Sequence, residues 1–321
     1  MTQPSSDPPE PDAQPDASPA EEAPPPAERR PEGRPGRIPL RRRAAWAWVR
    51  LLRPIAALAA AAVVVGFAFI LEEGAPVWHE VLRVGLSMFA VIAGASAMND
   101  YMDRRHDRDA HIWRPLAADL IAPRSALVLA AICAIAALAM SASLGWRAFL
   151  PMLGGLICVG LYNVQLRRTP FSWLPLAIAF ALVPPWVAEA VGRFDGYLWW
   201  SLPVGVVGGL AAHMAMKLPD YERDDVPGFR SLMHWMTIDY AVPMTWGFMG
   251  VFIVLAVASA NFERLRIEWV APAAAVAVVF TLAMMVASFF GVSERKLVWQ
   301  RWLFSLAIVG LAIGWLGSIV P

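Results

Sequence analysis

The segment Asn99-Asp100-Tyr101-Met102-Asp103-Arg104-Arg105-His106-Asp107 sets four oxygen-bearing side chains at helical spacing. On a helix of about 3.6 residues per turn, Asn99, Asp103, Asp107 and Asp100 point at about 0°, 40°, 80° and 100°. All four share one face. Three carboxylates so placed repel one another, and helix propensity gives no reason for the arrangement. A divalent cation relieves the repulsion. Hard oxygen ligands suit magnesium, which keeps several waters and is shared between a few carboxylates and substrate phosphates. The competing reading is a solvated acidic and basic stretch, with Arg104, Arg105 and Arg108 neutralising the aspartates.

A second cluster, Lys217-Leu218-Pro219-Asp220-Tyr221-Glu222-Arg223-Asp224-Asp225, repeats the pattern with Asp220 and Asp224 four residues apart. Two acidic faces opening at one cavity mouth can hold metal ions around a diphosphate. Arg114, Arg167, Arg168 and Lys217 are candidates to bind that diphosphate directly, the arginines through two parallel hydrogen bonds. Each also reads as a positive membrane-flanking anchor, and Lys217 as a salt-bridge partner of Asp220.

The elements that position these residues belong to a membrane protein. Of 321 residues, 58% are hydrophobic and only 17% charged, with a mean hydropathy of +0.50, which is too apolar for an ordinary soluble domain. Stretches long enough to cross about 30 Å of hydrocarbon recur between short polar breaks. The sequence predicts nine, at Ala44–Ile70, Val81–Met98, Ala126–Leu144, Ala148–Leu166, Phe171–Val191, Leu198–Met216, Tyr240–Ala260, Val270–Gly291 and Leu297–Val320. Most Lys and Arg fall on one side of this arrangement, and the other side carries only Arg83, Arg147, Arg193, Arg264 and Arg266. The positive-inside rule therefore predicts a cytoplasmic N-terminus, with both acidic clusters on the cytoplasmic side. Pro184, Pro185 and Pro203 inside the spans predict kinks, as beside a central cavity or in ordinary irregular packing.

Residues 1–43, rich in Pro, Glu, Asp, Ala and Arg, lack the apolar side chains that offset ordering entropy and are expected to be a disordered cytoplasmic tail. No apolar run opens the chain, so no cleavable signal peptide is expected. A formal net charge of +1 gives no basic excess for nucleic acid. Cys133 and Cys158 lie in apolar runs and predict neither disulfide nor zinc site, and the five histidines are scattered.

At these residues the sequence resembles the UbiA superfamily of intramembrane prenyltransferases. Asn99, Asp100, Asp103 and Asp107 match its first motif, N-D-x-x-D-x-x-x-D, and Asp220, Asp224 and Gly228 match its second, D-x-x-x-D-x-x-x-G. Arg114-Pro115-Leu116 stands where the family has R-P-[LI], and Leu161-Tyr162-Asn163 with Leu166-Arg167-Arg168 looks like its Y-[ST] segment with trailing basic residues. Ala117-Ala118-Asp119 departs from the commoner P-S-G.

The resemblance implies an all-α integral membrane fold, a nine-helix bundle around a central cavity over residues 44–321. It implies that magnesium held by Asp100, Asp103, Asp107, Asp220 and Asp224 promotes departure of diphosphate from an isoprenyl diphosphate. Asn99, Arg114, Tyr162, Arg167, Arg168 and Lys217 are then the substrate-binding set. Tyr101, Tyr162 and Trp186 are candidates to face the resulting cation, or else packing residues. A hydrophobic acceptor, aromatic or lipidic, captures the prenyl group, with membrane lipid as the only other partner and no obligatory protein partner. Two readings compete: a membrane terpene cyclase using the same ionisation, and a transporter with acidic ion-pathway residues. Aspartates at helix ends rather than at mid-bilayer favour diphosphate chemistry over transport.

Overall fold

The computed structural model describes residues 40–73, 75–110, 114–167, 169–221, 232–263, 265–291 and 294–318. The described residues are helical almost throughout. In chain order the helices are α1 (Leu40–Leu52), α2 (Pro54–Leu71), α3 (Trp78–Ala110), α4 (Pro123–Ala142), α5 (Trp146–Leu161), α6 (Trp173–Ala181), α7 (Val183–Ala190), α8 (Ser201–Lys217), α9 (Ile238–Phe262), α10 (Ile267–Phe289) and α11 (Glu294–Ser318). Among the described residues they supply nine stretches long and apolar enough to cross a membrane. Each coincides with one of the nine expected from the sequence. The first helix begins at Leu40 rather than at Ala44, and residues 1–39 of the expected tail lie outside the described residues.

Two spans are broken. The first divides at Arg53, which adopts a left-handed conformation (φ 47°, ψ 57°) immediately before Pro54, the first residue of α2. Proline suits the opening turn of a helix and disfavours helical geometry in the residue before it, so the break is written into the Arg-Pro pair. The fifth span divides at Leu182 into α6 and α7, where the Pro184–Pro185 pair predicts a kink. Pro185 has no N–H to offer the carbonyl of Ala181. The hydroxyl of Ser201, at the start of α8, donates to that carbonyl instead, at 3.1 Å.

The bundle closes through small residues. On α8 a Cβ at Gly205 would lie 2.7 Å from Ala181 Cα, and one at Gly209 would lie 2.6 Å from Ala177 Cα. Only glycine lets α8 approach α6 this closely, the usual device for packing helices in lipid. His213, one further turn along the seam, bonds the hydroxyl of Ser172 at 3.3 Å. The core is apolar, with Trp186, Met249, Phe252 and Phe304 fully buried, while Ile132, Ile135, Val254, Val279 and Leu282 project outward. On a membrane-spanning bundle those exposed faces are lipid contacts rather than docking patches.

Candidate functional site

α3 continues without interruption past the apolar stretch to Ala110, so the first acidic cluster is part of the helix and its residues do share one face. Asp100, Asp103 and Asp107 are 3%, 7% and 2% exposed. Three carboxylates this deeply withdrawn from water need countercharge. Three arginines from three other segments supply it. Arg53 Nη2 lies 3.0 Å from Asp100 Oδ1, and Arg167 Nη2 lies 2.5 Å from Asp103 Oδ2. Arg114 Nη1 reaches all three aspartates, at 2.8 Å from Asp107, 3.4 Å from Asp103 and 3.7 Å from Asp100.

Each arginine is positioned by a local device. Arg53 is the elbow between α1 and α2, and α1 is held against α3 by a small cluster in which Ala47 and Leu51 join Ala97, Leu116, Ile121 and Ala126. Leu116 and Ile121 in that cluster also anchor the turn after α3, fixing Arg114 at its start. The turn is closed by bonds from Ala118 N to Arg114 O and from Leu120 N to Pro115 O. Arg167 follows a single π-helical turn over Tyr162–Leu166, its N–H bonding the Tyr162 carbonyl at 2.9 Å. The extra residue in that turn rotates Arg167 toward α3, where Nη1 donates to Asn99 Oδ1 at 2.6 Å. Arg50, Arg53, Asp100, Arg114 and Pro115 line a cavity of about 310 Å³ beside this cluster.

The second cluster begins where α8 ends at Lys217. A 3-10 turn, Leu218–Asp220, follows, with Leu218 buried against Met214, Met233 and Leu297. The Tyr221 hydroxyl donates to the Met236 carbonyl at 2.9 Å and ties the start of the intervening segment to its end. Only the backbone of Asp220 is described, and Asp224, Gly228 and Arg168 lie outside the described residues.

A profile of the UbiA prenyltransferase family matches residues 58–309. The chain belongs to that family. It is 23% identical over 195 residues to a 4-hydroxybenzoate octaprenyltransferase of Vibrio vulnificus, covering 59% of this chain and 68% of the relative. It is 30% identical over 158 residues to a digeranylgeranylglyceryl phosphate synthase of Pyrococcus abyssi, covering 47% and 56%. The fold superposes on a UbiA homologue from Archaeoglobus fulgidus bound to GPP and Mg2+ with a TM-score of 0.64, at 22% identity, over 83% of this chain and 99% of that one. This UbiA-family member is therefore an integral membrane transferase of prenyl groups, and the transporter reading is set aside.

Among the described residues of this UbiA-family chain, no three acidic, histidine or cysteine side chains converge into a metal cage. The donor set still fits magnesium. That ion needs only one or two carboxylates alongside phosphate oxygens, and the α3 aspartates are hard oxygen donors spaced along one face. Two of the aromatic candidates are committed elsewhere. The Tyr101 ring is covered by the Arg104 guanidinium, 4.3 Å from its centroid. Trp186 is buried in the core, its Nε1 donating to Ser141 Oγ at 2.9 Å, near the junction of α4 and α5 and so at the opposite end of the bundle from Asp103. Tyr162 is half-buried at the head of the π-helical turn.

Positive-inside counting places Arg53 only among the Lys and Arg of the positive side. The signal that marks it is its position directly before Pro54 inside an otherwise apolar span, where a helix must break and a charged side chain must find a buried partner.

Proposed function

We propose that this protein ionises an isoprenyl diphosphate and transfers the prenyl group to a separate hydrophobic acceptor, aromatic or lipidic. The observation that carries the reading is the buried face of Asp100, Asp103 and Asp107, each paired with an arginine that could instead grip phosphate. In this reading spans two and six run in the same direction, so that the end of α3 and the end of α8, where the second acidic cluster starts, open on one membrane face. By the positive-inside rule that face is cytoplasmic.

In this reading Asp100, Asp103, Asp107, Asp220 and Asp224 hold magnesium, which when bound supplies the positive charge that stabilises a departing diphosphate. The GPP and Mg2+ of the Archaeoglobus fulgidus homologue support both assignments. Arg114 and Arg167, with Arg168 and Lys217, orient the diphosphate through charge-assisted hydrogen bonds. Arg53 joins them from the elbow. Before substrate arrives the same arginines neutralise the aspartates, which keeps a dense acidic face stable inside the membrane. Asn99 holds Arg167 in place. As the allylic carbon–oxygen bond breaks, the electron pair leaves with the diphosphate, and the apolar helices exclude water from the cation. Tyr162 is the remaining aromatic candidate to face it. The acceptor's nucleophilic atom then bonds the prenyl carbon and releases a proton.

Mass spectrometry of products from purified protein given labelled isoprenyl diphosphates of several lengths, with and without aromatic and lipid acceptors, tests the proposal. The expected outcome is an acceptor-dependent prenylated product. A cyclic hydrocarbon or terpene alcohol formed without acceptor replaces transfer by cyclisation.

A further inference from the structure

α2 accounts for the first membrane crossing by itself. Its 18 residues rise about 27 Å, nearly the whole hydrocarbon thickness of about 30 Å. The 13 residues of α1 would add about 20 Å, more than the hydrocarbon can hold. α3 fixes their depth. Ala97, in the cluster that seats α1, lies about 29 Å along α3 from the exposed Trp78. α1 therefore sits at the membrane boundary, level with the start of the acidic face.

The two sides of α1 differ. Ala47 and Leu51 are buried, whereas Trp46, Trp48 and Val49 are 61%, 37% and 41% exposed. Indoles are favoured where hydrocarbon gives way to water. Four arginines, Arg41, Arg42, Arg43 and Arg50, share this 13-residue helix with no acidic residue. Three of them fall in its first turn, where positive charge opposes the helix dipole. Helix formation gives no reason for the run, but an anionic surface beside it does. A polybasic stretch next to aromatic side chains at a membrane surface has the chemistry that attracts anionic phospholipid.

What α1 leads into separates it from an ordinary flanking charge cluster. The Arg53 N–H donates to the Arg50 carbonyl at 3.3 Å, so the left-handed elbow continues the last turn of α1. From that elbow Arg53 Nη2 reaches Asp100 Oδ1 at 3.0 Å. One short helix thus presents a face to lipid and carries a countercharge of the acidic face at its end.

We propose that the outer face of α1 binds anionic phospholipid, and that lipid bound there holds Arg53 on Asp100. The occupant is lipid rather than a soluble anion, because Trp46 and Trp48 supply an apolar half of the contact that a soluble anion cannot use. The binding does not depend on the prenyl-transfer reading.

Amide hydrogen exchange across residues 45–53, read by mass spectrometry on the full chain in nanodiscs, tests the binding. Nanodiscs of phosphatidylcholine alone are compared with a two-to-one mixture of phosphatidylcholine and phosphatidylglycerol. Exchange is expected to be about tenfold slower with phosphatidylglycerol, the scale of one or two arginines held at an anionic surface. The triple variant Arg41→Gln, Arg42→Gln, Arg43→Gln loses that difference. Removing cations from the first turn favours the helix itself, so a weaker helix does not explain the loss. Trp46→Ala with Trp48→Ala also diminishes the difference and serves if the triple variant does not fold. Equal wild-type exchange in the two nanodiscs overturns the proposal, as does a difference that survives in the triple variant. Protection reproduced by inorganic phosphate in phosphatidylcholine nanodiscs overturns lipid as the occupant. Phenylglyoxal modification, resolved by peptide, tests the coupling: phosphatidylglycerol protects Arg53 more than it protects the exposed Arg193. Equal protection of the two overturns the hold on Asp100. Magnesium-dependent release of diphosphate from geranyl diphosphate is measured on the same preparations. Its absence in every nanodisc overturns prenyl ionisation and leaves the lipid result standing.

Discussion

Arg114 Nη1 stands 2.8 Å from Asp107 Oδ2 and, from that one position, is also the nearest guanidinium nitrogen common to Asp103 and Asp100. This one half-buried side chain touches all three aspartates, and with Arg53 and Arg167 it balances their charge. Removing one partner of a buried charge cluster costs about 3–5 kcal/mol, because the remaining charge stays withdrawn from water. Arg114→Ala is therefore expected to lower the melting temperature of the purified protein markedly and to abolish turnover. Arg114→Lys recovers part of the stability but little activity, since a single ammonium cannot reproduce the planar fork. Melting curves and turnover of both variants check this, and an unchanged Arg114→Ala protein would contradict the countercharge role.

Asp103→Asn and Asp220→Asn are each expected to reduce turnover by at least about a hundredfold at saturating magnesium, the scale of losing a transition-state charge contact. The double variant should be scarcely worse than either single one, because both aspartates serve one ionisation step. Additive losses would indicate two independent sites. Folding, followed by size-exclusion chromatography in detergent, should survive in all three.

Close packing of α8 on α6 predicts an asymmetry between glycines. Gly209→Ala places a methyl group 2.6 Å from the Ala177 backbone and should cost about 1–3 kcal/mol by forcing the helices apart. It should also depress turnover, since α8 carries the second acidic cluster at its end. Gly155→Ala, which meets nothing within 4 Å, should leave stability equal or slightly higher through better helix propensity. Comparable losses in the two variants would refute the seam.

Asp119 occupies a left-handed backbone conformation, φ 52°, a region that favours glycine. Aspartate tolerates this region better than most residues, and its 2.8 Å pair with Arg108 is an exposed one worth at most about 1 kcal/mol. Asp119→Gly is expected to be neutral or slightly stabilising, because relief of strain offsets the lost pair. Asp119→Ala loses the pair without the relief and should melt lower. Thermal denaturation of the two variants side by side decides between them.

Cysteine accessibility provides a test of sidedness. In a background lacking Cys133 and Cys158, Ala118→Cys and Met236→Cys should react with an impermeant reagent from one membrane face, and Arg147→Cys and Arg193→Cys from the other. Labelling of Ala118→Cys and Met236→Cys from opposite faces would separate the two acidic clusters and end the case for a shared site.

The spans were legible because nine apolar stretches each exceed the hydrocarbon thickness, and the α3 face was legible because carboxylates at helical spacing fall on one side whatever surrounds them. Arginine partners were less so. Arg167 reaches α3 through a π-helical turn, a feature of tertiary fit that no periodicity in Tyr162–Leu166 announces. Positive-inside counting treats every arginine alike and gives Arg53 no partner, whereas its place before Pro54 gives it a specific direction. Trp186 illustrates the opposite limit. Its indole invited a cation-facing role, but only packing reveals that it is buried against Ser141.

The hydroxyl of Ser201 on the Ala181 carbonyl bears on how the chain enters the bilayer. Leaving the ribosome first, the fifth span carries the Pro184–Pro185 pair and a carbonyl with no donor of its own, and the group that completes it is synthesised twenty residues later. A segment in that state is a poor solute for hydrocarbon. The fifth and sixth spans are therefore expected to enter lipid together as a hairpin rather than one helix at a time.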